Sequence, residues 1–398
     1  MAEGLSRREW LASAAVAVQP VAGWIESIEQ TQFWSNLDGR GVTWFHPRIC
    51  RLASGQLLMT VQTISGSDVY GHVHWSVSDD GGRGWSKPDP IPGMGRRSVD
   101  GGLEEGYCDT VPEFHPPTGT VIAMAHNVYY KDNRLARPSE QRWPVYTVRG
   151  PHGRWSAVRR LEWSHPEATA MYTSGCSQRV TLPTGDILVP ISMGPAGRMD
   201  RGVCTLMCSF DGVKLAPRRH GNILRFSAGR GLLEPSLAAL DGVFYMTIRA
   251  ENGQGFVTRS KDGLEWETMR AWAWDDGGAI EMSTTQQRWL VHSDGLWLVY
   301  TRKDASNTSV MRWRAPLFMA RVDEKRMCLV RASERIAIPL EGDGINDGKG
   351  VEHLGNFHTN PVSRAESMIS VGTMITARGY AGTVRLARVR WARPNRLI

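Results

Sequence analysis

What this chain has little of narrows its class first. No apolar run is long enough to span a bilayer: Leu11–Val18 falls well short of the ~20 residues a helix needs, so no membrane span is expected. Lys and Arg never gather into a run of five or more, although the formal net charge is +7. Scattered arginines on a basic chain suit an acidic small substrate or glycan, whereas nucleic acid asks for a basic stripe; no nucleic-acid partner is expected. The six cysteines (Cys50, Cys108, Cys176, Cys204, Cys208 and Cys328) include no C-x-x-C pair, and no histidine stands at zinc-finger spacing. They are therefore read as core rather than as a metal site, Cys204 and Cys208 sharing one face of a strand. No carboxylate cluster has ligand spacing, so no metal or cofactor is expected, a structural calcium being left open. The sequence does not speak to the oligomeric state.

Helical periodicity is also scarce beyond the N-terminal segment. That segment reads "SRREWLASAAVAV", with charged, apolar and small-residue regions in the order of a twin-arginine export signal. Residues 1–23 are expected to be such a signal and 24–398 one domain, placing the protein in the periplasm or outside the cell.

What is plentiful is turn chemistry between short apolar runs. The 42 glycines separate segments rich in β-branched and aromatic residues: Gln56–Thr63, Thr120–His126, Asp186–Ile191, Val243–Arg249 and Leu296–Thr301. Each of these, and the run "SMISVGT" at Ser367, is preceded by a polar-studded opener: "WFHPRI" at Trp44, "TVPEFHP" at Thr110, "GCSQRV" at Gly175, "LLEPSL" at Leu232, "TTQQRW" at Thr284 and "LGNFHT" at Leu354. Six groups of about 60 residues, each able to form four short strands, predict an all-β fold, a six-bladed β-propeller with four-stranded antiparallel blades. Seven blades is the alternative count.

One turn recurs in register. "SDDGGRGW" (Ser78–Trp85) has the form S-x-D-x-G-x-x-W; "SKDGLEW" (Ser260–Trp266) is one residue shorter, "SFDGVKL" (Ser209–Leu215) lacks the Trp, and "GPHGRW" (Gly150–Trp155) is a remnant. The Asp accepts backbone N–H bonds, the Gly takes positive φ, and the Trp fills space between sheets. On these turns and the blade period the chain resembles the Asp-box, sialidase-like superfamily of propellers over nearly its whole length. The resemblance implies that the first strand of each blade lines a central funnel, where the polar openers converge.

Sialidases hold the substrate carboxylate with an arginine cluster and use an Asp acid/base and a Tyr nucleophile activated by Glu. By resemblance, Asp68, between the second and third strands of the first blade, matches the acid/base. Glu234 and Arg249 match the family's Glu and one carboxylate-binding Arg. Arg312 and Arg314, read as alternating on a strand around Trp313, match another site arginine. Arg48, Arg179 and Arg288 are further anion ligands. Gln178, Gln287 and His358, with Asp109, Glu113, Gln286 and Asn356, are expected to meet sugar hydroxyls, and Trp44, Trp289 and Trp313 to stack on a pyranose or fill wedges between blades.

Two departures stand out. The first inner strand reads Phe45-His46-Pro47-Arg48-Ile49 where the family has Arg before Ile-Pro, and the sixth blade offers Phe357 and His358 where a sialidase presents its Tyr. Phe357 cannot attack an anomeric carbon. His46 is the candidate base, with His115, His126 and His358 as competitors. Beside arginines that neutralise a uronate, a histidine could drive β-elimination, as in the related rhamnosyl-glucuronate lyases and hydrolases. The sequence thus points to an exported exo-acting enzyme on an acidic glycan. A sialidase-like hydrolase comes first, a polysaccharide lyase second, and a non-catalytic glycan-binding propeller third.

Overall fold

The structure, a computed structural model, describes residues 23–398 apart from 137–141, 197 and 199. The expected export signal therefore lies, except for Gly23, outside the described residues. Among these, no helix is long and apolar enough to cross a membrane.

Strands form where the sequence alternates β-branched and aromatic residues between glycine turns. The five apolar runs become Leu57–Gly66, Thr120–Lys131, Ile187–Gly194, Val243–Arg249 and Gly295–Tyr300, the second strands of five blades. Each is buried along most of its length because a blade is packed on both faces by its neighbours. Among the described residues there are six antiparallel sheets, hence six blades, five of them with four strands along the main path and some with an extra short strand beside it.

Blade I is Trp44–Arg51, Leu57–Gly66, Val69–Ser78 and Asp89–Pro90, counted outward from the axis. Blade II is built on Leu103–His115, blade III on Met171–Thr173 and Val180–Thr181, and blade IV on Leu233–Leu240. Blade V starts from Arg288–His292, and blade VI from His353–Leu354 and His358–Pro361. The outermost strand of blade VI is N-terminal: Ile25–Asn36 pairs with Gly382–Trp391, so the two ends of the described chain close the ring together.

The core is a set of wedges between blades. One joins Leu290, Val299 and Leu317 of blade V to Ile28, Ile369 and Val389 of blade VI. Another joins Tyr146 and Met124 of blade II to Ile191 and Leu206 of blade III.

The Asp-box turns are staples of the outer hairpins. Ser78 Oγ donates to Asp80 Oδ1 at 2.8 Å, which also accepts from the Arg83 and Gly84 amides at 2.9 Å each. Asp262 repeats the pattern with Ser260 and the Leu264 and Glu265 amides. Trp266 is buried between blades, its Nε1 donating to Thr205 Oγ1 at 3.0 Å. A further degenerate copy, unnoticed in the sequence, is Asp323, which accepts from the Lys325 and Arg326 amides.

Candidate functional site

In a regular strand, successive side chains point to opposite faces, so an inner strand shows the axis only every other residue. This ring departs from that rule at one level. His46 (φ 54°), Asp109 (φ 58°), Cys176 (φ 63°) and Glu234 (φ 46°) each adopt a left-handed backbone. For His46, Asp109 and Glu234 the pairing register slips there, between Phe45/Arg48, Cys108/Val111 and Leu233/Ser236. A bulge of this kind re-aims a side chain, and non-glycine residues in that region cost about 1–3 kcal/mol, a strain concentrated at functional sites. Four consecutive blades carry it at equivalent positions.

The side chains so placed meet. Asp109 Oδ1 accepts from a buried Arg48 Nη2 and from Asn356 Nδ2 at 2.9 Å, and His46 Nδ1 stands 3.5 Å away. Burial opposes the Asp109 charge, yet the Arg48 guanidinium beside it holds it well below the usual carboxylate range. Burial, partly countered by Asp109 and reinforced by Arg48, pushes His46 down to about 3, so its imidazole is neutral. Its ring packs 5.0 Å from that of Tyr70, whose hydroxyl donates to Asp68 Oδ1 at 3.0 Å. Burial and the Asp68 charge raise Tyr70, which stays a donor. Asp68 itself is exposed in the turn between the second and third strands, with a left-handed backbone (φ 57°).

Opposite lies a cationic group. Arg249 Nη1 donates to Glu234 Oε1 at 2.8 Å, and its other nitrogens reach Thr284 Oγ1 at 3.2 and 3.3 Å. Burial works against the Glu234 carboxylate, but Arg249 holds it below its ordinary value; Oε2 has no partner among the described residues. Burial, then Arg314 and Arg249, pushes Arg312 down to about 9, as expected where cations outnumber nearby carboxylates. Arg314 donates to Asn356 Oδ1 at 3.2 Å, and its Nε is unpartnered. The strand expected around Trp313 is absent. Met311–Trp313 is a 3₁₀ turn with left-handed Arg312 and Trp313, which leaves Arg312 exposed at the mouth and Arg314 half-buried below it.

Several expected sugar ligands are instead used to hold the ring. Gln178 Nε2 crosses the axis to Trp289 O at 2.9 Å and Thr359 Oγ1 at 3.1 Å, while its Oε1 accepts from the Trp289 amide. Arg179 is ion-paired with Glu113 at 3.2 Å and donates to Val111 O and Ile122 O; its side chain is 1% exposed. Gln287 Oε1 accepts from Thr247 Oγ1 at 2.5 Å between blades IV and V. Arg288 is wholly buried, donates to Ser236 Oγ at 3.2 Å, and is pushed down to about 10, burial being the main cause. His358 is buried and accepts from the Ile49 amide at 3.4 Å. Arg48 likewise serves Asp109 and is not exposed. Trp289, 1% exposed with its Nε1 donating to Ser236 O, is a wedge and not a stacking platform. His115 is held by Thr118 and Gly185 O at a blade turn. Phe357 is in the core.

Of the candidates, His46, Asp68, Glu234, Arg249, Arg312 and Arg314 share the funnel with Asp109 and Asn356. Tyr70 and Cys108 were missed, and His126 was singled out only as a competing base. The left-handed residues recur with the blade period of about 60 residues, and that spacing was the available signal for Asp109 as the centre.

Searches against protein-family models and against curated proteins return no match. Solved structures do match. A protein of unknown function from Dyadobacter fermentans aligns with TM-score 0.65 at 12% identity, over 91% of this chain and 98% of that one. The Hadza microbial sialidase Hz136 gives 0.60 at 14%, over 87% of this chain and 66% of its own. Trypanosoma rangeli sialidase in complex with sialic acid gives 0.61 at 11%, over 95% and 59%. The chain thus spans about two thirds or less of the two sialidases, and at these identities the likeness is one of fold.

Proposed function

We propose that the protein is an exo-acting carbohydrate-active enzyme that cleaves a terminal glycosidic bond at or beside an acidic sugar, in the manner of a glycoside hydrolase. One observation carries this reading: Arg230, Arg249, Arg312 and Arg314 gather at the funnel against the carboxylates of Glu234 and Glu251, leaving net positive charge facing the opening. Such a group suits a sugar carboxylate, which guanidinium forks bind in two-point fashion. Asp68 at the exposed rim is the proton donor to the leaving oxygen, and Glu234 the carboxylate beneath. The sialidases of similar fold support a glycosidic substrate. The twin-arginine pattern at Arg7 and Arg8 supports action outside the cytoplasm.

A second reading, β-elimination at a uronate, is favoured by the same funnel. The inner strand of blade VI carries Phe357 and His358 where a tyrosine nucleophile would stand, whereas blade I supplies neutral His46 packed against Tyr70, a base and an acid side by side.

A panel of sialylated and rhamnosyl-glucuronate oligosaccharides tests both. Free sugar released without a new ultraviolet chromophore supports hydrolysis, and an unsaturated uronate chromophore establishes elimination. Retention on an acidic-glycan column with no product from any member overturns both and leaves a glycan-binding propeller.

A further inference from the structure

We propose that Cys108, Asp109 and His126 form a site for a divalent, borderline-soft cation, zinc first, at the floor of the funnel. Cys108 and His126 are direct partners across the first two strands of blade II, so their side chains leave the sheet on one face. Asp109 would ordinarily point the other way; its left-handed backbone and the bulge after Cys108 turn its carboxylate to the same side. One thiol, one imidazole and one carboxylate thereby come within 4.8 Å of one another, all buried.

The donor atoms are spaced for a shared ligand. Cys108 Sγ lies 3.1 Å from His126 Nε2 and 3.8 Å from Asp109 Oδ2. Two ligands of a tetrahedral zinc, one sulfur and one nitrogen, stand about 3.5 Å apart. The Asp109 oxygens divide the work. Oδ1 is taken by Arg48 and Asn356, which fix the carboxylate as outer partners fix metal ligands, and Oδ2 faces the Cys108 thiol, with the Cys176 thiol also beside the carboxylate. Space has been made for the imidazole: a Cβ on Gly175 would fall 1.9 Å from His126 Nδ1. The side facing His46, whose 2%-exposed side chain has an unpartnered Nδ1 by Asp109, is where a fourth ligand would approach.

Thiolate and carboxylate together neutralise the dication, and a mixed S/N/O set favours zinc over magnesium or calcium. The inference does not depend on the glycan reading, because metal is counted without substrate.

The test uses the full chain, stripped with a chelator and reloaded with zinc or cobalt(II). Expected are about one equivalent of zinc by elemental analysis and a thiolate-to-cobalt charge-transfer band. Both should be lost in Cys108→Ser and His126→Gln but kept in Cys204→Ser. Zinc should also shield Cys108 of the wild-type chain from alkylation in a denaturant concentration at which the metal-free chain exposes that buried thiol, mapped by mass spectrometry, which decides the matter if either variant fails to fold. Binding below a tenth of an equivalent, a band that survives both variants, or alkylation of Cys108 indifferent to zinc overturns the site.

Discussion

Arg249 shows how one side chain can serve both architecture and chemistry. It neutralises Glu234, bridges to Thr284 of the next blade, and presents charge to the funnel. Arg249→Met should therefore weaken an acidic glycan at least tenfold while also lowering stability by about 1–2 kcal/mol, a breaking cost reduced because the Glu234 side chain keeps 23% exposure. Titration with an acidic sugar and denaturant unfolding read the two effects separately. Under the elimination reading His46→Ala should abolish turnover, whereas near-normal kcat would remove it from the chemistry and leave hydrolysis by Asp68 and Glu234. His358 governs a different property. Burial, then Arg288, Arg48 and Arg179, holds its pKa well below the ordinary 6.5, so the folded state keeps it neutral. Here the unfolded state binds the proton first, so no stability is lost above 6.5 and about 1.4 kcal/mol per unit is lost as pH falls below it. Thermal unfolding between pH 8 and 5 should show the decline, and His358→Gln should flatten it by one proton's worth. At this scale the sequence was only half legible. It picked out polar residues on inner strands, but not which ones face the axis. Gln178, Arg179 and Gln287 look in sequence like His46 or Glu234; only the bulges decide that the first group ties blades together while the second meets in the funnel.

The strands were far more legible, since alternation and glycine turns are local properties. Val243–Arg249 has the bounds expected of it, and the other four central runs differ by a few residues at their ends. The exception was the segment around Trp313, where alternation of Arg and Trp suggested a strand. Left-handed Arg312 and Trp313 break it into a turn, a conformation set by the surrounding blades and not by propensity. The Asp-box hairpins are the most legible elements and are remote from the chemistry. Asp80→Ala removes the acceptor for Ser78 and two amides and should cost about 1–2 kcal/mol in denaturant unfolding, with kcat/KM unchanged on any substrate that is turned over. A fall in kcat/KM at temperatures where the variant is fully folded would contradict that division.

At the scale of the whole molecule, the ring is closed by pairing Ile25–Asn36 with Gly382–Trp391. Removing the chain through Asn36 would bare the long edge of Gly382–Trp391, and such edges recruit other strands. The truncated protein is expected to form strand-exchanged oligomers or aggregates, visible by size-exclusion chromatography. The axis has its own consequence. Gln178 reaches across it from blade III to blades V and VI, just below the level of the left-handed residues, with Arg48, Arg288 and His358 buried around the same level. The funnel is a cup, not a pipe. Under the proposed function a glycan could not be threaded through it and advanced unit by unit; each chain end would have to enter, be cut, and back out through the mouth that admitted it. A released sugar would then compete with the next chain end for one doorway, so under that reading accumulating product should slow turnover more sharply than depletion of substrate alone would.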